Sequence, residues 1–442
     1  MSFVTRNCTF ETRAHCGIFF YLSRQGRPSM PENLWLRGTS PAFRLMMATS
    51  WLAPEAWRPQ QQDAIRKTIA AGPDWEEYIA LVDRHRTPAL SWAALKSIPD
   101  LPIPAATRQG LQQRSDKCHR AAMGQLLLLS ALLQTFNRAG ITVMPLKGPL
   151  FSLELYGDPG LRHSKDIDLE LTWEDVPQAI ACVQSLGWKP DPSRFFPATA
   201  RQWEYYWRFE HELCFVQPKG STVLELHCRN HGESLKQTRQ RWSRSTLALW
   251  QGSNYQAMNA IDRFLYLCNH GSGHAWFRAK WLGDVARLHA QGGLDWEATR
   301  AEARNLNQER SLLAALSLLQ QIYGLPLPFA EAGLWHQLPA LLIREPLEKL
   351  AAPEEFEITA GLVRMRNRLR TVRYRQLLKP GMSWRQYLAE LTYQREDWSE
   401  FHLPDALLWA YAPLMPLFWI LRRVRGKRRS ASPPPHTGNR LH

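Results

Sequence analysis

The feature that most constrains this chain is a six-residue run in which acids and aliphatics alternate, Asp166-Ile167-Asp168-Leu169-Glu170-Leu171. Successive side chains of a strand point to opposite faces, so the pattern predicts a strand over 166–171 with one acidic and one apolar face. Carboxylates two residues apart on one face repel each other unless something positive lies between them. A divalent metal with hard oxygen ligands is the usual partner, and a solvated sheet edge is the plain alternative for a bare Asp-x-Asp. Upstream, Ile141-Thr142-Val143-Met144-Pro145-Leu146 is short, apolar and partly β-branched, and predicts a buried strand over 141–146. Lys147 and Gly148 follow directly, a cation and a flexible residue placed where backbone N–H groups can cradle phosphate at a helix start. A third acid, Glu225, faces away from Leu224 and Leu226 in the apolar stretch 222–228, where an acid is tolerable only with a partner.

These pieces follow in order: Leu-Lys-Gly, then Leu-Tyr-Gly-Asp-Pro-Gly-Leu-Arg ending at Arg162, then Asp-Ile-Asp-Leu, then Leu-Glu-Leu-His. Together they resemble the uncharacterised nucleotidyltransferase family of bacteria, a branch of the superfamily that includes DNA polymerase beta and the aminoglycoside nucleotidyltransferases. The resemblance runs from Trp75 to Leu288, and takes in the segment around His270, His274 and Trp281-x-x-Asp284. It implies an α+β fold, a small mixed β-sheet nucleotidyltransferase core flanked by N- and C-terminal helical regions. It implies two magnesium ions on Asp166 and Asp168, with Glu225 as the third acid near the acceptor hydroxyl. Lys147 and Gly148 would contact the phosphates of a nucleoside triphosphate, and Arg162 and Ser164 would line the same pocket. The implied reaction moves a nucleoside monophosphate, most simply AMP, from an NTP to a small-molecule, sugar or peptide acceptor and releases pyrophosphate. Two features depart from the wider pattern. Pro149 stands where a serine often follows the glycine, which removes a backbone donor and a hydroxyl. The separation between Gly148 and Asp166 is longer than in minimal enzymes, and Lys165, where a small residue is common, is a further candidate phosphate contact. Two other readings stand beside this one: a non-catalytic nucleotide-binding or scaffold protein of the same fold, and an RNA-end nucleotidyltransferase.

A chain of 442 residues accommodates two or three domains. The expected divisions are an irregular N-terminal extension over 1–45, a helical region over 46–140, the α/β core over 141–256, a helical region over 257–425 and a disordered basic, Pro-rich tail over 426–442. Met46 and Met47 are candidate starts, and the short apolar patch 18–22 reads neither as a membrane span nor as a signal peptide. In the first helical region, leucines of a long helix over 105–139 read as core, and Gly140 supplies its stop. Within the core, a short helix is expected over Pro149–Tyr156, and Thr172 with Asp175 forms a capping box for a helix ending at Gly187. The aromatic stretch 190–208 reads as an excursion over the site, followed by strands 211–217 and 222–228 around the turn Pro218-Lys219-Gly220.

The net charge of +15 would attract any polyanion, but much of it lies in one run, Arg422, Arg423, Arg425, Lys427, Arg428 and Arg429. With no RNA-binding motif, nucleic acid is not the expected partner. Seven cysteines without a C-x-x-C pair argue for reduced thiols and a cytoplasmic location. The apolar run 406–421 is interrupted by Pro413 and Pro416 and is shorter than the roughly 20 residues a spanning helix needs. It reads either as a buried terminal helix or as a peripheral contact with the inner membrane face, its arginines on lipid phosphates. The arginines at 364, 366, 368, 370, 373 and 375 spread around a helix, as on a solvated surface or a polyanion contact. His270 and His274, four apart, are a candidate metal pair weighed against substrate binding or a hydrogen-bond brace. His227, Cys228 and His231 read as local structure or acceptor-side lining.

Overall fold

The computed structural model describes residues 38–217, 222–230, 233–329, 332–352, 362–380 and 395–431, with Leu36, Leu388, Thr392 and Tyr393. The 18–22 patch, Cys8, Cys16, the turn 218–220, His231 and residues 432–442 lie outside them. Helix α1 (Pro41–Thr49) starts where Ser40 accepts a hydrogen bond from the Phe43 amide at 3.1 Å and Pro41 presets the first turn. Ala42, Phe43 and Leu45 are buried, so the packed chain begins before residue 46, inside the expected irregular extension. Helices α2 (Arg58–Ala70), α3 (Trp75–His85) and α4 (Pro88–Lys96) follow. Asp74 caps α3 by accepting from the Glu76 and Glu77 amides, and Arg86 ends it in the left-handed region at φ 57°. In α5 (Ala105–Arg138), Leu111, Ser115, Cys118, Ala122, Leu126, Leu129, Leu133 and Phe136 recur every three or four residues and form one buried stripe.

The sheet that positions the site is built from β1 (Met144–Pro145), β2 (Asp166–Glu170), β3 (Lys189–Pro190), β4 (Glu212–Val216) and β5 (Val223–His227). Its strand order is β1-β2-β5-β4-β3, with β2 and β5 parallel and the other neighbours antiparallel. The expected strand 141–146 pairs over two residues, because Pro145 has no N–H for the ladder and the Val143 carbonyl accepts instead from Gln256 at 2.9 Å. Between the strands lie α6 (Pro149–Tyr156), α7 (Val176–Ser185) and α8 (Ala200–Phe209), with α9 (Leu235–Ser243) after β5. The expected capping box before α7 is a side-chain contact alone: Thr172 Oγ1 donates to Asp175 Oδ2 at 2.7 Å, and a 3-10 turn over Trp173–Asp175 leads into the helix. A hairpin of β6 (Thr246–Trp250) and β7 (Ser253–Ala257) turns at Gln251 and Gly252, both at positive φ.

Helices α10 (Ala260–Gly273), α11 (Ala279–Gln291), α12 (Trp296–Asn305), α13 (Glu309–Tyr323), α14 (Ala332–His336), α15 (Leu341–Ala351), α16 (Leu362–Leu378), α17 (Arg395–Glu400) and α18 (Tyr411–Ala431) complete the described chain. The fold is α+β: a small mixed sheet and a two-stranded sheet flanked by helices. Two large cores hold it together. In one, Phe43, Met46 and Tyr78 pack with Phe264, Leu282, Leu316 and Leu319, so the helices before and after the sheet bury one another. In the other, Leu129, Leu133 and Phe136 of α5 cover Ile167, Leu169, Leu224 and Leu226, the apolar face of β2 and β5.

Trp207 and Tyr206 of α8 join this second core with Trp398, so the aromatic stretch packs largely against the sheet's apolar face instead of over its acids. Leu408, Tyr411 and Phe418 of the C-terminal apolar run are buried there too, while Trp409, Leu417 and Ile420 stay exposed. Helix α18 continues to Ala431, past the boundary expected at 425. No described helix is long and apolar enough to cross a membrane.

Candidate active site

Register alone brings the acids together. Because β2 and β5 run parallel with Asp168 opposite Glu225 and Glu170 opposite His227, all four side chains project from one face of the sheet. On β4, Cys214 lies opposite Glu225 and Glu212 opposite His227, extending the same two rows. Ile167, Leu169, Leu224 and Leu226 point the other way, into the core. Burying the apolar face therefore fixes the acidic one. A one-residue slip would reverse both.

Asp168 is the centre of this face. It is 1% exposed, and neither carboxylate oxygen meets a donor in hydrogen-bonding geometry. Its charge is offset by Lys147 Nζ at 3.2 Å and His227 Nε2 at 3.4 Å, both from Oδ1. Burial alone would raise the Asp168 carboxyl, but Lys147 first and His227 after it outweigh that and hold it well below the carboxylate range. Glu225 goes the other way: burial, with Glu212 and Asp168 adding repulsion, lifts it to about 7 even though His227 opposes the shift. For His227, burial works against the charged form, and Asp168, Glu225 and Glu212 overcome it to hold the imidazole up at about 10.

Lys147 is positioned by Gly148, whose φ of 93° and ψ of −161° suit glycine, and by α6, which starts with Pro149 immediately after it. The Leu146 amide donates to the Asp168 carbonyl at 3.0 Å, tying the lysine's strand end to the acid's own backbone. Lys147 Nζ lies 6.0 Å from the Tyr266 ring centroid. Asp166, at the strand start, accepts from Ser164 Oγ on Oδ1 at 3.1 Å, so Ser164 orients the acid. The carboxylate of Glu170 is closed off: Arg241 Nη2 donates to both oxygens at 2.9 and 2.8 Å and Trp242 Nε1 to Oε1 at 2.5 Å.

Ligand atoms of Asp168, Glu225 and His227 lie within 4.8 Å of one another, and a second such group joins His211 and Glu212 to His227. A buried carboxylate with two unbonded oxygens, facing a second acid, suits a hard dication. Asp166, on the same face two residues along, stands outside these groups.

The structure places Arg162 against an acid of α11. Its guanidinium is 2% exposed and committed to Asp284 of α11, Nε to Oδ2 at 2.7 Å, with Tyr156 donating to the other oxygen at 3.1 Å. The Trp-x-x-Asp segment thus braces the loop carrying Ser164. His270 and His274 are not joined by further ligands among the described residues; they pack against Trp281, edge-on at 5.2 Å and tilted at 5.0 Å, in an aromatic group beside Lys147. Burial and Lys147 hold both imidazoles below their ordinary value.

Other cations gather around Asp166: Lys165, a candidate from the sequence, and three that the sequence did not disclose, Arg86, Arg278 and Lys280. Lys165 is held below its ordinary value by Arg86 first, then burial and Arg278. Buried Lys280, whose Nζ donates to the His163 carbonyl at 2.9 Å, is held well below its own by burial, with Arg162 and Arg86 adding repulsion that Asp166 and Asp284 oppose. Arg86, Arg278 and Lys280 sit at a helix end, in a link and on a later helix, with no shared spacing to find them by.

A family model described as an uncharacterised nucleotidyltransferase matches residues 71–324, from the approach to α3 to the end of α13. No curated protein matches the chain significantly, and no solved structure does. The match spans more than half of the chain, which therefore belongs to that family.

Proposed function

We propose that this member of the uncharacterised nucleotidyltransferase family transfers a nucleoside monophosphate, most simply AMP, from an NTP to a hydroxyl on a small molecule, sugar or peptide. The observation that carries the reading is the buried Asp168 with two unbonded oxygens, set opposite Glu225 across parallel strands and beside Lys147. The acceptor oxygen forms a bond to the α-phosphorus, the bond to the β-phosphate oxygen breaks, and pyrophosphate leaves with the electron pair. Glu225 takes the acceptor's proton. Lys147 moves from Asp168 to the phosphates when the nucleotide arrives, a point charge on a flexible stem. Arg86, Lys165 and Arg278 receive the departing pyrophosphate on the Asp166 side, while Arg162 acts through Asp284 as a brace for the loop. Two magnesium ions bound at Asp166, Asp168 and Glu225 would neutralise the α-phosphate and pyrophosphate and acidify the acceptor hydroxyl. The same reading places the protein in the cytoplasm, with the exposed Trp409, Leu417 and Ile420 beside the basic run supporting peripheral contact with an anionic membrane face.

Calorimetry with ATP, GTP, CTP and UTP in turn, with magnesium, tests the reading on wild type and Asp168→Ala. Magnesium-dependent binding of at least one nucleotide in the wild type, lost in the variant, is the expected outcome. Asp166→Asn should lower turnover by ~10³-fold or more, the scale of losing metal-borne charge stabilisation. Unchanged binding in Asp168→Ala, or retained turnover in Asp166→Asn, would remove the acids from the reaction. Magnesium-dependent nucleotide binding with no transfer to any hydroxyl acceptor would point to the scaffold reading.

A further inference from the structure

We propose that His227 is a direct nitrogen ligand of the divalent ion seated between Asp168 and Glu225. The inference rests on the nucleotidyl-transfer reading of the same acids and adds a ligand to that ion. Its first support is register. His227 lies two residues beyond Glu225 on β5 and therefore on the same face, one pleat further along the seam with β2. Its second is burial without satisfaction. His227 is 6% exposed, and its Nε2 has no partner in hydrogen-bonding geometry. That atom lies 3.4 Å from Asp168 Oδ1 and 3.6 Å from Glu225 Oε2, and the Asp168 oxygens are equally unbonded. These atoms are held by ion-pair contacts, Lys147 Nζ included at 3.2 Å, without a hydrogen bond in good geometry, a state that costs a buried polar atom up to ~1–3 kcal/mol. Their convergence on one point suits a dication.

The spacing suits coordination. Two ligands each ~2.1 Å from a tetrahedral ion lie ~3.4 Å apart, and in octahedral geometry ~3.0 Å apart. The observed separations meet the first value and exceed the second, so a tetrahedral ion fits as the side chains stand and an octahedral one draws them together by about half an ångström. Behind the ring, Nδ1 faces Glu212 Oε2 at 3.7 Å, and Arg194 approaches the same carboxylate's Oε1 at 3.4 Å. A carboxylate behind a ligating imidazole fixes its tautomer and turns Nε2 to the metal.

The test loads the full-length protein with Mn2+ and records electron spin-echo envelope modulation. Wild type should show coupling to a directly bound 14N, replaced by the 15N pattern when histidine is 15N-labelled. In His227→Gln the coupling should vanish while manganese still binds through the acids, weakened roughly tenfold or more. His211→Asn should keep it. Should the His227 variant fail to fold, the labelled wild-type spectrum together with His211→Asn still decides the matter, since the described carboxylate pair has no other imidazole at this distance. Bound manganese without nitrogen coupling would overturn the ligand assignment and leave the three-acid reading standing, with His227 reduced to a counter-charge. Failure of both Mn2+ and Mg2+ to bind, with or without NTP, would overturn both.

Discussion

The charge balance of the site depends on pairs whose partners are fixed deep inside the protein. Arg241, 2% exposed, neutralises Glu170 and Glu233, both buried, from α9. Removing one partner of a buried ion pair leaves the other charge uncompensated, so Arg241→Met should lower unfolding stability by ~3–5 kcal/mol in a denaturant titration. Arg241→Met combined with Glu170→Gln and Glu233→Gln should recover most of that loss, because the stranded charges are then gone. A single variant within about 0.5 kcal/mol of wild type would show that the cluster is more hydrated than its burial implies. At this scale the acids were legible because strand alternation is local: Asp168 and Glu225 announce themselves beside aliphatic neighbours. Partner choice was not. Arg162 and Asp284 are 122 residues apart and Glu170 and Arg241 are 71 apart, so neither pairing leaves a local signal.

Among the elements, the turn between β1 and α6 is the most exacting. Gly148 combines φ 93° with ψ −161°, and a Cβ built there would come no closer than 3.8 Å to the Asp166 carbonyl. The space exists; the backbone conformation is what excludes a side chain. Gly148→Ala should therefore cost ~1–3 kcal/mol of folding stability. It should also weaken NTP binding measured by calorimetry, as Lys147 shifts with the relaxed turn. Undiminished nucleotide affinity would mean that Lys147 does not depend on this turn for its place. Helices α5 and α6 were readable from periodicity and from proline and glycine at their ends, which are short-range signals. The strand over 141–146 shrank to two paired residues, and the aromatic stretch near 200 turned to the core, because both outcomes were settled by partners on β7 and α17.

Across the whole molecule, burial of neutral histidines makes stability depend on acidity. His289 packs on Trp296 at 5.2 Å, and burial pushes its imidazole down to about 4. The folded state then binds fewer protons than the unfolded state between its ordinary value near 6.5 and 4, so stability is complete above that window and lost as pH falls through it. His289 alone accounts for ~2–3 kcal/mol across the window, and His85, also held well down by burial and by Arg84, acts in the same direction. Chemical denaturation from pH 7 to 4 should show this slope, and His289→Gln should flatten it; equal slopes would mean that the ring escapes to water before it charges. The α+β class was legible through the family resemblance. The joint core was not, since nothing local says that α1 and α3 pack on α10, α11 and α13.

That shared core sets a timetable for the protein's birth. Phe43, Met46 and Tyr78 leave the ribosome some two hundred residues before Phe264, Leu282 and Leu316 that cover them. At synthesis rates of ~5–20 residues per second, these apolar faces wait ~10–40 s for their partners. The nascent chain is therefore a customer for chaperones that shield exposed hydrophobic surface, and slowing translation between residues 100 and 260 would lengthen that dependence.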